Sequence, residues 1–196
     1  MMEYKDLSDS AKERAYKNFQ DLSDSAEEDI LTETRDMLET KGIYEPVFSY
    51  SGYSAQSDGA CFTGNINLKD FLDTHESVRT AHPELYIAII PFDGKEPACR
   101  YFDINLTRRS SRYSHENAVH LGTWDYEYLG SGGTDAIDGY YEKLIVDAEK
   151  DIEETCRDYM RELYRRLEAE DTYRSSMDAF LEECHFHKYT IAGDLA

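Results

Sequence analysis

Basic side chains are scarce in this chain. Its 196 residues include 21 Lys and Arg against 41 Asp and Glu, a formal net charge of −20 at pH 7. A nucleic-acid-binding surface needs a basic footprint, so direct binding to nucleic acid is not expected. No run approaches the ~18 apolar residues of a membrane helix. The opening Met-Met-Glu-Tyr-Lys-Asp has no signal-peptide pattern, so neither membrane insertion nor export is expected. Cysteine is sparse: Cys61, Cys99, Cys156 and Cys184 form no CxxC pair and read as reduced, small core hydrophobes. A nucleophile elbow and a phosphate loop are both missing from the sequence. No catalytic residue, cofactor or metal is therefore expected.

What is present supports folding. Hydrophobic residues make up 40% and aromatics 13%, which argues against disorder, and the length fits a single domain over residues 1–196. Sixteen tyrosines offer amphipathic contacts at a core edge or an interface, which leaves a homo-oligomer open. The acidity itself fits either solubility by self-repulsion or imitation of a polyanion.

The pattern along the chain predicts an α+β fold: an antiparallel sheet of hairpins backed by N-terminal helices and a long C-terminal helix. Leu7-Ser-Asp-Ser-Ala11 recurs as Leu22-Ser-Asp-Ser-Ala26, and each copy offers a capping box, Ser10 with Glu13 and Ser25 with Glu28. Ala15, Phe19 and Leu22 space one apolar face, and Ile30, Thr34, Met37 and Leu38 the next. Gly42 is placed to end the second helix. Residues 46–53 and 60–68 read as paired strands. Asp70 to His82 reads as a short helix stopping before Pro83. Leu85 to Phe92 reads as a buried strand by its continuous apolar content, with Cys99 to Leu106 returning beside it. Tyr113 to Leu121 and Thr123 to Leu129 read as a hairpin about Gly122. From Tyr141 to Leu167 apolar residues keep a near-3.6 period, with 144, 148, 152, 159 and 163 as the buried face. Glu154 and Asp158 are an unfavourable like-charged pair on its outer side. Ser176 to Cys184 reads as a last helix and His185 to Ile191 as a last strand.

Three polar constellations stand out. The first is the tip between the paired strands, Ser54, Gln56, Ser57 and Asp58. Asp58-Gly59 alone suffices for a turn, because Gly accepts positive φ, so the other polar groups are surplus and mark a binding loop. The second is Arg108-Arg-Ser-Ser-Arg-Tyr-Ser-His115. Arg108, Arg109 and Arg112 suit phosphate or carboxylate, and Tyr113 and His115 add donors. The third, Cys184-His-Phe-His187, lacks the further ligands a zinc site needs. Ser54 or Cys61 with His115 and Asp58 would supply a nucleophile, a base and an orienting group, without any surrounding signature.

The segment Tyr50 to Gly64 resembles the Tyr-Ser-Gly-Phe-x-Ser-Gln-Gly-Asp-Gly-Ala-x-Phe-x-Gly signature of a family of small bacteriophage and prophage proteins. Their members are often labelled antitoxins of a toxin–antitoxin stability system. Ala55 and Ser57 depart from that pattern. Tyr4 to Ala15 is similar to the family's opening, Arg112-Tyr-Ser-His115 to a Tyr-x-His element, and Arg161 to Glu170 to its C-terminal helix. The resemblance implies a phage accessory protein in the host bacterial cytoplasm. The expected activity is anti-defence by sequestration of a small anionic, nucleotide-like ligand. The tip would hold polar groups, the arginines the phosphates, and Tyr113 or Trp124 would stack on a base. Two alternatives stay open: an acidic inhibitor that mimics a polyanion and binds a host defence protein, and an antitoxin of a toxin–antitoxin pair.

Overall fold

The computed structural model describes residues 1–21, 23–53, 58–90, 99–109, 112, 114–128 and 135–196. In order these form α1 (Asp9–Asp21), α2 (Ser23–Glu39), β1 (Ile43–Tyr50), β2 (Ala60–Asn67), α3 (Leu68–Thr74), α4 (Glu76–Ala81), α5 (Pro83–Ile89), β3 (Cys99–Arg108), β4 (Val119–Tyr128), α6 (Asp135–Arg174) and α7 (Met177–Cys184). The fold is α+β, with a four-stranded sheet in the order β1-β2-β3-β4 whose neighbours all run antiparallel. The chain divides into two compact units, residues 1–32 with 165–196, and residues 33–164.

The first unit is held by a small aromatic core. Leu7, Ala11, Ala15 and Phe19 pack with Ala179, Phe180, Cys184 and Tyr189. The Tyr4 ring meets Phe180 edge-on at 4.9 Å, and the Arg174 guanidinium sits 4.9 Å from the centre of the Phe19 ring. The first helix is capped two residues earlier than its capping box predicts: Ser8 Oγ accepts from Ala11 N–H at 3.3 Å, and Ser10 lies inside α1. Ser25 likewise lies inside α2. Ser176 caps α7 as expected. The expected strand over 185–191 is instead a pair of isolated bridges, Met2 with Tyr189 and Tyr189 with Leu195.

In the second unit, Gly42 closes α2 with φ +78°. A Cβ there would stand 2.3 Å from Phe71 N, so both the backbone angle and the space require glycine. β1 pairs with β2 about the tip as expected, with Phe48 opposite Phe62 and Tyr50 opposite Ala60. β1 forms one edge of the sheet, where Pro46 offers no amide and Glu45 takes φ +51° at a shift in register.

Two expectations are corrected here. Of the strand expected over 85–92, residues 85–89 belong to helix α5 and 91–92 lie outside the described residues: Pro83 stands in the first turn, where its fixed φ favours helix, and Leu85, Ala88 and Ile89 are buried while Ile87 is 52% exposed. A short apolar run fits either structure, and burial at i, i+3 and i+4 is the helical pattern. The hairpin expected about Gly122 is one continuous strand, β4, paired with β3. Gly122 lies at a register shift, and a Cβ there would meet Thr107 Cγ2 at 2.7 Å. The glycine serves a bulge and a close approach rather than a turn. The turns expected at Asp93-Gly94 and Glu96-Pro97, the connection at Gly130–Gly133, and Leu22 lie outside the described residues.

The seam of α6 is Ile145, Ala148, Ile152, Cys156, Met160 and Leu163, all buried. Residues 144 and 159 are half-buried, one position off the expected face. Tyr159 turns aside because its hydroxyl hydrogen-bonds His75 Nε2 at 2.7 Å. Glu154 and Asp158, the unfavourable pair, are both bound by Arg161, at 2.8 and 2.5 Å.

His75 gives a pH signature. Its ring is buried against Phe71, with centroids 3.9 Å apart. Burial holds its pKa below the ordinary 6.5, and Lys41 adds to this. Below pH 6.5 the unfolded chain takes up a proton that the folded chain refuses, so stability must fall with pH in that range. Chemical denaturation between pH 7 and 5 should show this loss, and His75→Gln should flatten the slope. An unchanged slope in the variant would assign the titration elsewhere.

Candidate functional site

A first candidate site lies at the end of the sheet where Gly59 meets Ser114 and His115. Ser51 N–H donates to Gly59 C=O at 3.1 Å, closing the base of the tip. Ser54, Gln56 and Ser57 lie outside the described residues, as does Tyr113. Asp58 faces Gly52: a Cβ on Gly52 would stand 3.5 Å from Asp58 Oδ2. Gly59 abuts the connection, since its Cβ would fall 3.0 Å from both Ser114 O and His115 Cα. This glycine is needed for close approach; its φ lies outside the left-handed region that the turn reading assumed.

Around that contact, Arg108 Nη2 donates to Ser114 Oγ at 3.1 Å. His115 Nδ1 accepts from Asn117 N–H at 3.2 Å, capping a short 3-10 turn over Glu116–Ala118. Helix α6 reaches the same end, with Tyr164 OH donating to Gly52 C=O at 2.7 Å and Arg161 Nε 3.6 Å from Glu116 Oε1. Cys61 is fully buried there, and burial pushes its thiol up against the opposing pull of Arg108. A buried, protonated thiol is a poor nucleophile.

Of the sequence-derived residues, Asp58, Arg108 and His115 are therefore brought to one place. Arg109 is not. Consecutive strand residues point to opposite faces, and the Arg109 guanidinium lies 3.3 Å from His120 Nδ1. Arg112 is exposed. Trp124 stands opposite Ile104, with its ring edge-on to Phe102 at 6.4 Å. Of the expected clamp, Arg109 and Trp124 thus lie apart from Arg108 along the sheet.

Two further arrangements were not read from the sequence. At the β4 edge, Glu153 Oε1 accepts from Leu121 N–H at 3.1 Å and also contacts His120 Nδ1. Arg157 Nη2 bridges Glu153 Oε2 at 2.6 Å and Val119 C=O at 3.2 Å. Glu153 and Arg157, one turn apart on α6, thus supply the acceptor and donor that a fifth strand would have supplied. Burial works to raise the Glu153 carboxyl, but His120, the Leu121 N–H and the Arg157 charge together hold it below the usual carboxylate range.

The second is a hollow of about 610 Å³ lined by residues of β1 to β4 and α3. Glu45, Asp70, Asp103 and Asp125 line it, with Asn65, Asn67 and Asn105 between them and no basic residue. Asn105 donates to Asn65 Oδ1 at 3.2 Å, Asn67 to Asp103 Oδ1 at 3.1 Å and Tyr44 OH to Asp70 Oδ2 at 2.9 Å. Asp103 stands directly opposite Asp125 in the β3–β4 register. Such a cross-strand like-charge pair destabilises a sheet. The signal was present in sequence as acid and amide residues at alternating positions, Asn65 and Asn67, then Asp103 and Asn105, with Asp125 on the next strand.

Site and fold together define an α+β protein with polar surfaces on an antiparallel sheet. The chain belongs to the family described as a domain of unknown function (DUF8835), which it matches over residues 12–177. No curated protein and no solved structure matches it. Among the described residues no helix is long and apolar enough to cross a membrane.

Proposed function

We propose that this protein acts by binding, and that its working surface is the acid- and amide-lined hollow, matched to a cationic partner. The observation that carries this reading is the Asp103–Asp125 pair: two acidic residues stand opposite each other in the β3–β4 register, both lining a hollow with no basic residue in its wall. A cationic group docked there relieves the repulsion and gains electrostatic complementarity. The partner class is a basic surface on a host protein. In a phage setting, which the resemblance of the Tyr50–Gly64 segment supports, this makes the chain an acidic inhibitor that competes with a polyanion.

A second reading rests on its own observation. Asp58, Arg108 and His115 converge at the tip, so sequestration of a small anionic, nucleotide-like ligand there remains the competing function, with Arg108 in place of the full clamp.

The test is capture from a bacterial lysate with the purified chain, followed by identification of retained proteins and small molecules. The first reading expects a retained basic protein, lost with Asp103→Asn/Asp125→Asn and lost steeply as salt rises. A retained nucleotide, abolished by Asp58→Ala or His115→Ala and indifferent to the sheet-face variant, would replace it with the second.

A further inference from the structure

We propose that His120, Glu149 and Glu153 form a binding site for a divalent transition cation of the zinc type. One ligand atom from each of the three lies within 4.8 Å of the others. Glu149 and Glu153 are one turn apart on α6 and so share a face, while His120 comes to them from β4. His120 Nδ1 touches Glu153 and lies 3.9 Å from Glu149 Oε1. The donor set is one imidazole nitrogen and two carboxylates. Mixed nitrogen and oxygen ligation suits zinc and its neighbours, whereas magnesium and calcium take oxygen alone.

The surroundings are those of a held ligand set. Glu153 is 5% exposed, and its carboxylate is oriented by Arg157 on one oxygen and the Leu121 N–H on the other. Outer contacts of this kind fix ligand direction in metal centres. Tetrahedral bonds of zinc length set ligand atoms about 3.3 Å apart, so His120 and Glu153, now in direct contact, must part slightly and Glu149 must draw in from 3.9 Å. Glu149 supplies that movement, since its side chain is 38% exposed. Three protein ligands leave a fourth position for water or a partner's group.

One cation already competes for the place. The Arg109 guanidinium lies 3.3 Å from His120 Nδ1. Arg109 is exposed and can swing out, so it stands in for the metal charge rather than closing the site. A purely structural cluster makes a different demand. Glu153 and Arg157 alone satisfy the β4 edge, and Glu149 makes no bond to it among the described residues. Glu149 therefore matters only if the third ligand is used.

The test is titration of the full chain with zinc chloride by calorimetry, with the visible absorption of added cobalt(II) as the second readout of coordination. Saturable one-to-one binding is expected. Glu149→Gln should weaken it by at least about tenfold while leaving the metal-free melting temperature unchanged. Arg109→Ala should tighten it. Absence of saturable binding overturns the proposal. So does binding that Glu149→Gln leaves intact, which would place the ion on other carboxylates such as those of the hollow.

Discussion

Leu163→Asp should leave the chain without a cooperative melting transition. Leu163 is 1% exposed and continues the α6 seam of Ile145, Ala148, Ile152, Cys156 and Met160. Two costs add. Removing a buried leucine side chain forfeits about 2–5 kcal/mol of transfer and packing energy. An unpaired carboxylate in the same place costs several more unless it takes up a proton. Their sum reaches the whole stability of an ordinary domain, roughly 5–15 kcal/mol. Circular dichroism on heating reads the outcome. Glu162→Ala, on the exposed side of the same turn, serves as control and should melt like the parent. A Leu163→Asp chain that melts within a few degrees of the parent would mean that this face is not packed.

Glu153→Ala should be the next most damaging change, by about 3–5 kcal/mol, because it removes the shortest partner of a half-buried arginine, leaving Glu154 at 3.4 Å as its one carboxylate contact among the described residues. Arg157 has 14% of its side chain exposed, and its Nη2 would keep only Val119 C=O among its strong partners. The replacement also removes the acceptor for Leu121 N–H. This second loss separates an edge lock from a simple ion pair. Replacing both partners of a buried pair with apolar residues is often neutral. Here Glu153→Leu/Arg157→Met should stay destabilised by about 1–3 kcal/mol for each backbone group left bare. Urea unfolding of the three chains measures this, and a double variant as stable as the parent would reduce the arrangement to an ordinary salt bridge. The depressed Glu153 carboxyl fixes the pH sign. Its contribution is full above the usual carboxylate range and is lost as acid protonates it.

Local pattern in the sequence carried the elements whose signal is local. The aromatic runs about the Tyr50–Gly64 tip specified β1 and β2, and the near-3.6 spacing of Ile152, Cys156 and Leu163 specified α6. Residues 83–89 failed because an apolar run has no period to choose between strand and helix, although Pro83 at its start favoured helix. Gly122 failed because a glycine between two strand-like runs fits a bulge as well as a turn. The dispersal of Arg108 and Arg109 was readable once the strand was carried two residues past Leu106, since neighbours on a strand face apart. The pairing of Glu153 with His120 and Leu121 was not readable. It joins residues more than thirty positions apart, and no local period encodes which helix turn meets which strand edge. The acid and amide face lay between these cases: its period of two was visible, but which strands align their polar residues depends on register.

The two borders of the sheet have a consequence for the chain at high concentration. A free strand border is a template on which another chain can add by main-chain pairing. Neither border here offers one intact. On β1, Pro46 lacks an amide and Glu45, at φ +51°, falls at a break in the pairing register. On β4, the outward groups of Val119 and Leu121 are already taken by side chains of α6. The sheet is therefore interrupted at part of each border, once by backbone and once by a removable pair of side chains. Loss of that pair does more than weaken the fold: it opens a growth front, and clumping of the variant should begin from β4.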